Sequence, residues 1–407
     1  MGKPCVVIGG SHAAAQFVVS LRQGGWDDDI ILLGDDENLP YHRPPLSKDY
    51  LSGAKLLDEI LIRPATVYEK ANVTLKLGTR VVSINQNSKT ILTDKNETLA
   101  YEKLVLATGA RVRKLPINGA DDPRIMYLRD ARDVDAIKAA ISKEKQTVII
   151  GGGYIGLETA ASMRKCGMKV TVLEGMERIL QRVTAPIMSD FYRRIHMEEG
   201  VLIKENELVS SIEKSDNGLT VHTKSGHEYL ADFVVVGIGV IPNTELASDA
   251  DLSVSNGIVV NEYCQTTGAD IYAIGDVTWH YNPIYDRDIR LESVPNATEQ
   301  AKIAALHING IEKAYNSLPW FWSDQFDLKL QIAGLSDGYD NLIVRGDNKE
   351  SRSFAVFYFR GDKFLAVDAV NDPRAFMMSR MVLTKGQNLN KEILSDAALE
   401  LKSALIT

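Results

Sequence analysis

The most regular feature of the chain is an apolar run that stops at glycine and passes into a helical pattern, and it occurs twice. In the second occurrence the β-branched run 146–150 leads into Gly151, and apolar positions then recur with helical spacing from residue 154. A further apolar run, 170–173, ends in Glu174. These are the parts of a dinucleotide-binding βαβ unit, in which the helix N-terminus faces the pyrophosphate and the carboxylate binds the ribose.

The first occurrence is looser. The run 5–8 enters Gly9-Gly-Ser11-His-Ala-Ala14, where serine and alanine stand at the second and third glycine positions of the fingerprint. The next apolar run, 30–33, is followed by Asp35. By itself this pattern fits an ordinary strand-to-helix turn equally well, because glycine commonly follows a strand. The second fingerprint shifts the interpretation towards a second dinucleotide, and a protein that binds two dinucleotides most simply passes electrons between them.

A third element favours a flavin as one of the two dinucleotides. Asp276 follows the short apolar strand 270–274 and precedes a helical pattern over 296–305. An aspartate in this setting often hydrogen-bonds the ribityl chain of FAD. We therefore assign the first fingerprint and Asp276 to one FAD-binding domain, interrupted by the domain that holds the second fingerprint.

The pattern as a whole predicts an α/β fold with two Rossmann-like dinucleotide-binding domains and a C-terminal α+β domain. In the C-terminal domain the spacing of apolar residues changes to the alternation typical of β-strands, which predicts strands at 353–359 and 364–367. Two helices are predicted to follow, at 373–383 and 391–405. The predicted boundaries are residues 1–112 and 243–318 for the FAD-binding domain, 113–242 for the NADH-binding domain and 319–407 for the C-terminal domain.

Composition narrows the possible partners and location. The chain has 407 residues, of which 45% are hydrophobic and 25% charged, with a net charge of −8. This is ordinary globular composition, and the negative charge without a basic stripe argues against nucleic acid. No apolar run reaches the length of a membrane span, and the chain enters a strand at residue 5, which leaves no room for a signal peptide. A cytoplasmic location without membrane contact is expected.

The three cysteines lie far apart, at positions 5, 166 and 264, with no CxxC or CxxxxC spacing. The sequence therefore carries no signature of a redox disulfide, a zinc site or an iron–sulfur cluster, and we expect no bound metal. Two-fingerprint flavoproteins of the disulfide-reductase type place reactive thiols shortly after the first ribose-binding strand. Here that stretch, 39–48, has no cysteine, so electrons are expected to leave the flavin by another route.

Along nearly its whole length the chain resembles the FAD-dependent, NADH-oxidising ferredoxin reductases of bacterial oxygenase systems, the putidaredoxin reductase and aromatic-ring dioxygenase ferredoxin reductase family. This family has a glutathione-reductase-like fold with an added C-terminal domain. The matching motifs are PYHRPPLSK (40–48), LVLATG (104–109), GGGYIGLE (151–158), YAIGDV (272–277), ESV (292–294) and PWFWSDQ (319–325). The departure is the first fingerprint, where Ser11 and Ala14 are small enough for FAD to be accommodated.

The resemblance implies site residues of three kinds. Those implied for FAD are Gly9, Ser11, Ala13, Ala14, Asp35, Arg43, Lys48, Val81, Arg129, Asp276 and Val294. Those implied for NADH are Gly151, Gly153, Ile155, Gly156, Glu158, Glu174 and Gly239. Those implied for catalysis are Lys48, Glu158 and Trp320, with Trp320 beside the flavin and on the path to the partner's cluster. Lys48 and Glu158 are expected to pair, whereas Trp322 is interpreted as a core aromatic residue.

The implied function is transfer of hydride from NADH to FAD, followed by single-electron transfer to a separate two-iron two-sulfur ferredoxin that serves a terminal oxygenase. Three alternatives remain open. An NADH oxidase or peroxidase would need a thiol near residues 40–48, and a membrane quinone reductase would need an apolar C-terminal anchor. An apoptosis-inducing-factor-like redox sensor or scaffold would combine the related fold with slow turnover. Oligomeric state, monomer or homodimer, is left undecided.

Overall fold

The computed structural model describes residues 2–215 and 218–406, and the chain divides into two compact units. Unit 1 comprises residues 1–42, 58–111 and 241–320, and unit 2 comprises residues 43–57, 112–240 and 321–407. The segment 43–57, which contains the PPLSK motif, thus belongs to the unit that also contains the second fingerprint and the C-terminal region. The three-domain boundaries drawn from the sequence remain a prediction beside this division.

Unit 1 is built on a parallel sheet of five strands. Their spatial order is Ile271–Ala273, Lys103–Leu106, Cys5–Ile8, Ile30–Leu33 and Val73–Lys76. The central strand, Cys5–Ile8, is buried along its whole length, which explains why it reads as a continuous apolar run rather than an alternating one. Carboxyl ends of parallel strands share one edge, so Gly9 and the Gly275 turn meet there.

Unit 1 also contains two smaller sheets and several helices. The strands are Val81–Asn85, Thr90–Thr93 and Thr98–Ala100 in one sheet, and Ile258–Val260, Thr278–Asn282 and Arg287–Ile289 in the other. The helices are His12–Gln23, Ala65–Lys70, Glu245–Ser248 and Val294–Ile308. The first and last of these pack together through small residues such as Ala14 and Ala301, both fully buried in one hydrophobic cluster with strand residues.

Unit 2 contains a second parallel sheet of five strands. Their order is Leu202–Lys204, Lys169–Leu173, Gln146–Ile150, Phe233–Val236 and Ile125–Tyr127. Three helices accompany it, at Ala131–Ala140, Tyr154–Lys165 and Pro186–Glu198. An antiparallel sheet is formed by Val209–Ser215, Gly218–Thr223 and Glu228–Ala231. Two short strands, Ala110–Val112 and Val240–Pro242, occur where the chain passes between the units.

The C-terminal part of the chain forms a five-stranded sheet. Its order is Trp320–Gln325, Leu328–Gly334, Lys363–Val370, Ser353–Arg360 and Asn341–Asp347. The strands Ser353–Arg360 and Lys363–Val370 are antiparallel neighbours and almost completely buried, since they lie in the middle of the sheet. The helix Pro373–Thr384 packs on this sheet, one residue longer than the predicted helix 373–383.

The predicted helix over 391–405 is wrong beyond its first turn. The structure has a helix at Lys391–Ser395, a short 3₁₀ turn at Leu401–Ala404 and a strand at Leu405–Ile406 that pairs with Asn388–Leu389. The Arg345 guanidinium donates hydrogen bonds to backbone carbonyls of residues 394, 396, 397 and 399. The backbone of Asp396, which follows the helix, is extended, with φ −92° and ψ 103°, so the helix ends there. The hydrogen bonds from Arg345 stabilise this non-helical course of the chain.

The fold thus contains two parallel α/β sheets, one in each unit, and an antiparallel C-terminal sheet, as the sequence pattern predicts.

Candidate functional site

The glycines of the second fingerprint divide into those needed for close packing and one that faces open space. Gly151 has φ +112°, and a Cβ there would lie 2.4 Å from the Gly237 carbonyl oxygen. A Cβ on Gly156 would lie 2.1 Å from the Gly151 carbonyl oxygen, so the helix packs directly on the turn. No atom comes within 4 Å of a Cβ built on Gly153, which is the N-cap of the helix Tyr154–Lys165. This cradle and helix N-terminus fit a pyrophosphate.

Glu174 lies at the end of the strand Lys169–Leu173, where its carboxylate is held by the backbone. Oε2 accepts a hydrogen bond from the Gly152 N–H at 2.7 Å, and Oε1 accepts one from the Met176 N–H at 2.9 Å. The carboxylate is therefore fixed beside the glycine turn, where it can accept hydrogen bonds from ribose hydroxyls and repel a 2′-phosphate.

Two arginines near Glu174 could in principle favour a 2′-phosphate. Arg178 instead donates to Ser189 Oγ at 2.6 Å and to the Gln181 carbonyl at 3.2 Å, so its guanidinium is directed to the helix Pro186–Glu198. Arg182 is exposed. Ile155 is also 46% exposed on the first turn after the glycines, a position where an apolar side chain can contact a bound nucleotide.

Unit 2 contains a buried carboxylate, that of Glu158, which is 5% exposed and accepts three hydrogen bonds. Lys48 Nζ lies 2.6 Å from Oε2, and Ser47 Oγ donates to the same oxygen at 2.5 Å. Ser323 Oγ, from the C-terminal sheet, donates to Oε1 at 2.6 Å. The ion pair expected from the sequence is present, and the two serines were not among the predicted site residues.

The PPLSK segment reaches Glu158 because it is a 3₁₀ turn, Pro44–Ser47, with two prolines at its start. The Ser47 carbonyl accepts a hydrogen bond from Ser162 Oγ at 2.7 Å, one helical turn beyond Glu158. Lys48 Nζ also donates to the Pro44 carbonyl at 3.2 Å, which directs its ammonium inward. The segment is therefore held at two positions, Glu158 and Ser162, on one face of the helix Tyr154–Lys165. Lys48 is mostly buried as a result, instead of being a solvated surface residue.

In unit 1 the first fingerprint has the same construction. Gly9 has φ +123°, and a Cβ there would lie 2.1 Å from the Ala107 carbonyl oxygen. Ser11 is the N-cap of the helix His12–Gln23, and Ala14, at the third glycine position, is completely buried. Asp35 is exposed after the strand Ile30–Leu33, whereas the neighbouring Asp36 accepts hydrogen bonds from Asn38 and Tyr41. Asp35, whose side chain is exposed, remains the predicted ribose contact.

The turn that carries Asp276 packs against the helix His12–Gln23. A Cβ built on Gly275 would lie 3.2 Å from Cβ of Ala13, and the Gly275 N–H donates to Oε1 of the buried Gln300 at 2.8 Å. Asp276 is half-buried there. Val294 is the first residue of the helix Val294–Ile308, after its N-cap Ser293. Two helix N-termini and Asp276 therefore converge at one edge of unit 1, which fits the phosphates and ribityl chain of FAD.

Three other residues implied for FAD lie in different settings. Val81 is only 4% exposed and its side chain belongs to a hydrophobic cluster, so a contact with FAD there would use the backbone. Arg43 and Arg129 lie in unit 2, where Arg43 Nη1 donates to the Arg129 carbonyl at 2.5 Å. The Arg129 N–H in turn donates to Asp133.

The two tryptophans of the PWFWSDQ motif are neither fully buried nor fully exposed. Trp320 is the first residue of its strand. Trp322, interpreted above as a core aromatic, instead lines an open cleft of the C-terminal sheet together with Asp324, Lys329 and Gln331. Alternation explains this, because even-numbered residues of the strand face away from the side that carries Ser323.

The three cysteines are free thiols, and the pKa of each is raised. Cys5 and Cys264 are buried, and burial raises the pKa of each thiol far above its ordinary value. Cys166 is partly exposed, and burial raises its pKa as well. Among residues 2–215 and 218–406 there is no group of three or more metal-ligating side chains. Over the same residues, no helix has the length and apolar character that crossing a membrane requires.

Comparison with known proteins identifies the family of this chain. Residues 3–301 match the family described as pyridine nucleotide-disulphide oxidoreductase, and residues 320–405 match the family described as reductase C-terminal. The chain belongs to the pyridine nucleotide-disulphide oxidoreductase family.

Within this family the similarity to individual reductases extends over the whole chain. Putidaredoxin reductase of Pseudomonas putida is 41% identical over 406 residues, covering 98% of this chain and 96% of that protein. Rhodocoxin reductase of Rhodococcus erythropolis is 41% identical over 401 residues, covering 98% and 94%. The crystal structure of the covalent putidaredoxin reductase–putidaredoxin complex matches with a TM-score of 0.96 at 40% identity, over 99% of this chain and 98% of that one. The resemblance inferred from the motifs is thereby confirmed.

The cofactors of these oxidoreductases are FAD and NADH, as predicted. The residues of this chain fit both: the open space at Gly153 and the fixed carboxylate of Glu174 suit NADH, and the edge formed by Ser11, Asp35 and Asp276 suits FAD. The individual residue assignments remain predictions. Ser47, Gln300 and Ser323 were not among the predicted site residues, although Ser47 lies in the PYHRPPLSK motif and Ser323 in the PWFWSDQ motif.

Proposed function

We infer that this chain is an NADH-dependent ferredoxin reductase, which passes electrons from NADH through bound FAD to a ferredoxin in an oxygenase system. Membership in the family, similarity to putidaredoxin and rhodocoxin reductases and the fit of both dinucleotides support this function. We further infer a two-iron two-sulfur cluster in the partner and a cytoplasmic location, where NADH is abundant. Bound FAD supplies the conversion from two-electron to one-electron transfer.

The observation that supports this proposal most directly is that uncharged and basic residues, Ser47 and Lys48, stand where disulfide reductases have redox thiols. Disulfide reductases carry reactive cysteines after the first ribose-binding strand, and this chain has Ser47 and Lys48 there, both bonded to Glu158. The cysteines at 5 and 264 are buried, and burial raises their pKa values, so neither is a thiolate nucleophile. Electrons entering from NADH therefore have no thiol acceptor in this segment and require an external one.

The residues of unit 2 determine how NADH is held. Glu174 and the glycine turn fix the adenosine and pyrophosphate ends. Glu158 lies one turn along the helix that follows the glycine turn, and Lys48 pairs with it from the segment 43–57. The resemblance assigns Glu158 to the nicotinamide end and Lys48 to FAD. A carboxylate with three donors has a fixed orientation, and fixed polar groups are what align a hydride donor for reaction.

Anaerobic stopped-flow spectroscopy tests the proposal with the FAD-containing protein. NADH should bleach the flavin absorbance, and a bacterial two-iron two-sulfur ferredoxin should then support reduction of cytochrome c. Glu158→Gln should retain FAD but slow bleaching about tenfold, because a hydrogen-bonded charged group is replaced by a neutral one. The matched control is Glu228→Gln, an exposed glutamate of the same unit, which should react like the wild type.

Two results would contradict the proposal. If NADH did not reduce the wild-type flavin, the electron source would be wrong. If reduced protein passed electrons rapidly to oxygen and to no ferredoxin in a panel, an oxidase function would be favoured instead.

A further inference from the structure

One face of the C-terminal strand Trp320–Gln325 lies along helices of the NADH-binding region within unit 2. The ring of Phe321 packs edge-on against Tyr154 with centroids 5.2 Å apart, and two residues on, Ser323 contacts Glu158. The match is geometric: the two steps along the strand from Phe321 to Ser323 advance about 6.7 Å, and the four steps along the helix from Tyr154 to Glu158 advance about 6 Å. The strand and the helix can therefore make two successive side-chain contacts, Phe321 with Tyr154 and Ser323 with Glu158.

The contact continues away from Glu158 as a chain of hydrogen bonds. Gln325 Nε2 donates to Ser323 Oγ at 3.1 Å, and Gln325 Oε1 lies 2.8 Å from His196 Nε2. His196 belongs to the helix Pro186–Glu198 and is completely buried, while Ser323 and Gln325 are each 1% exposed. Four side chains from three elements are thus joined in a buried line.

The direction of every hydrogen bond in this line follows from the carboxylate at its end. The carboxylate of Glu158, paired with Lys48, only accepts, so Ser323 must donate its hydroxyl hydrogen to it. Ser323 Oγ then accepts from the Gln325 amide nitrogen, which directs the amide oxygen to His196. His196 must therefore carry its proton on Nε2. Burial lowers the pKa of His196 to about 4, so this neutral form persists at physiological pH.

The two carboxylate oxygens consequently have different environments. Oε2 receives the charged Lys48 and the hydroxyl of Ser47, both from the PPLSK segment. Oε1 receives Ser323, which is oriented by neutral groups only. Removal of the Ser323 hydroxyl would leave the first oxygen fixed and release the second, so that the carboxylate could rotate about its remaining partners.

We propose that Ser323, oriented by Gln325 and His196, is a positioning residue for hydride transfer: it fixes the plane of the Glu158 carboxylate at the nicotinamide end of the NADH site. The C-terminal domain thereby acts on the first half of the reaction. This proposal rests on the proposed function.

The test uses the FAD-containing protein and compares Ser323→Ala with Ser323→Thr in anaerobic stopped flow. Ser323→Ala should lower the limiting rate of flavin reduction by NADH about tenfold, the consequence of losing a hydrogen bond to a charged group. The dissociation constant of NADH should change less than about threefold, because Glu174 and the glycine turn are untouched. Ser323→Thr keeps the hydroxyl and should restore most of the rate.

The matched control is Ser379→Ala. Ser379 is a completely buried serine of the same C-terminal domain, and its Oγ has no hydrogen-bond partner among the described residues. This variant removes a buried hydroxyl without removing a hydrogen bond, so its reduction rate should equal that of the wild type. If Ser323→Ala does not bind FAD, Ser323→Cys takes its place, since it keeps the volume and offers only a weak donor.

A second readout does not depend on turnover. Nitrogen-15 spectra of histidine-labelled protein should show His196 as the neutral Nε2–H form from pH 6 to 8, assigned by the signal that disappears in His196→Gln. Gln325→Leu should shift that signal and lower the reduction rate less than Ser323→Ala does, because the serine hydroxyl remains. A proton on Nδ1 in the wild type would overturn the order of donors derived above.

The proposal is overturned if Ser323→Ala reduces its flavin as fast as the Ser379→Ala control, or if Ser323→Thr is as slow as Ser323→Ala. Failure of the proposed function gives a different result, since the wild-type protein itself would then not be reduced by NADH or would not supply a ferredoxin.

Discussion

The buried carboxylate of Asp368 gives a stability prediction whose size can be worked out. Asp368 is 1% exposed in the C-terminal sheet, and its Oδ2 accepts hydrogen bonds from Thr184 Oγ at 2.5 Å and Tyr358 OH at 2.6 Å. Burial raises its pKa from 3.8 to about 6, in spite of these two donors. The buried hydroxyls of Tyr154 and Tyr192 lie close enough to interact with it electrostatically.

The sign follows from which state binds more protons. The carboxyl pKa is higher in the folded than in the unfolded chain, so between about pH 4 and 6 the folded state binds the extra proton. The stabilisation that protonated Asp368 gives to the folded state is therefore fully present below pH 4 and is lost as pH rises through 6. The largest possible loss is about 3 kcal/mol, the difference between the two pKa values multiplied by 1.36 kcal/mol.

Asp368→Asn should remove this dependence, because the amide oxygen can accept the same two hydrogen bonds and never ionises. Urea unfolding of the FAD-containing variant and wild type at pH 4.5, 5.5, 6.5 and 7.5 measures the difference in free energy of unfolding. That difference should move in favour of the variant as pH rises, by about 2 kcal/mol between pH 4.5 and 7.5, because about a third of the total loss already occurs below pH 4.5. Other carboxylates contribute equally to both proteins and cancel.

Asp362→Asn is the matched control, since Asp362 lies beside the same strand with its side chain 99% exposed. It should show no comparable trend with pH. A difference for Asp368→Asn that stays constant from pH 4.5 to 7.5, or that moves in favour of the wild type, would refute the assignment of a raised pKa.

Three further predictions concern the reaction. NADH should be preferred to NADPH by at least about tenfold in kcat/KM, and Glu174→Ala should narrow this ratio; equal use of both by the wild type would contradict the role of Glu174. Trp320→Ala should impair ferredoxin-dependent cytochrome c reduction far more than ferricyanide reduction, and equal losses would make Trp320 a packing residue. Cys166 should be the thiol that reacts with Ellman's reagent in the folded protein, and Cys166→Ser should abolish that reaction without affecting electron transfer.

The parts of the structure that the sequence predicted best are those determined by short runs of consecutive residues. A buried parallel strand followed by glycine and a helix is encoded in about a dozen consecutive residues, so both fingerprints and the position of Glu174 followed directly. The pairing of Lys48 with Glu158 was also predicted, from charge and motif, although 110 positions separate them.

The parts that sequence missed depend on contacts between distant neutral residues. Ser323 lies 165 positions from Glu158, and the side chain of Gln325 lies 129 positions from His196. No local pattern specifies such partners. The predicted helix over 391–405 failed for a related reason, since hydrogen bonds from Arg345, on the strand Asn341–Asp347, stabilise a non-helical backbone after Ser395.

The position of the segment 43–57 has a consequence for anyone who recombines these reductases. By sequence the segment belongs to the stretch before the NADH-binding region, yet it folds with that region, and Ser47, Lys48 and Ser323 all meet at Glu158. A chimera that exchanges residues 113–242 alone would take the carboxylate from one parent and its three donors from the other. Exchange of 43–57, 112–240 and 321–407 as one block keeps parental contacts together, so crossover points should follow the compact unit rather than the order of the chain.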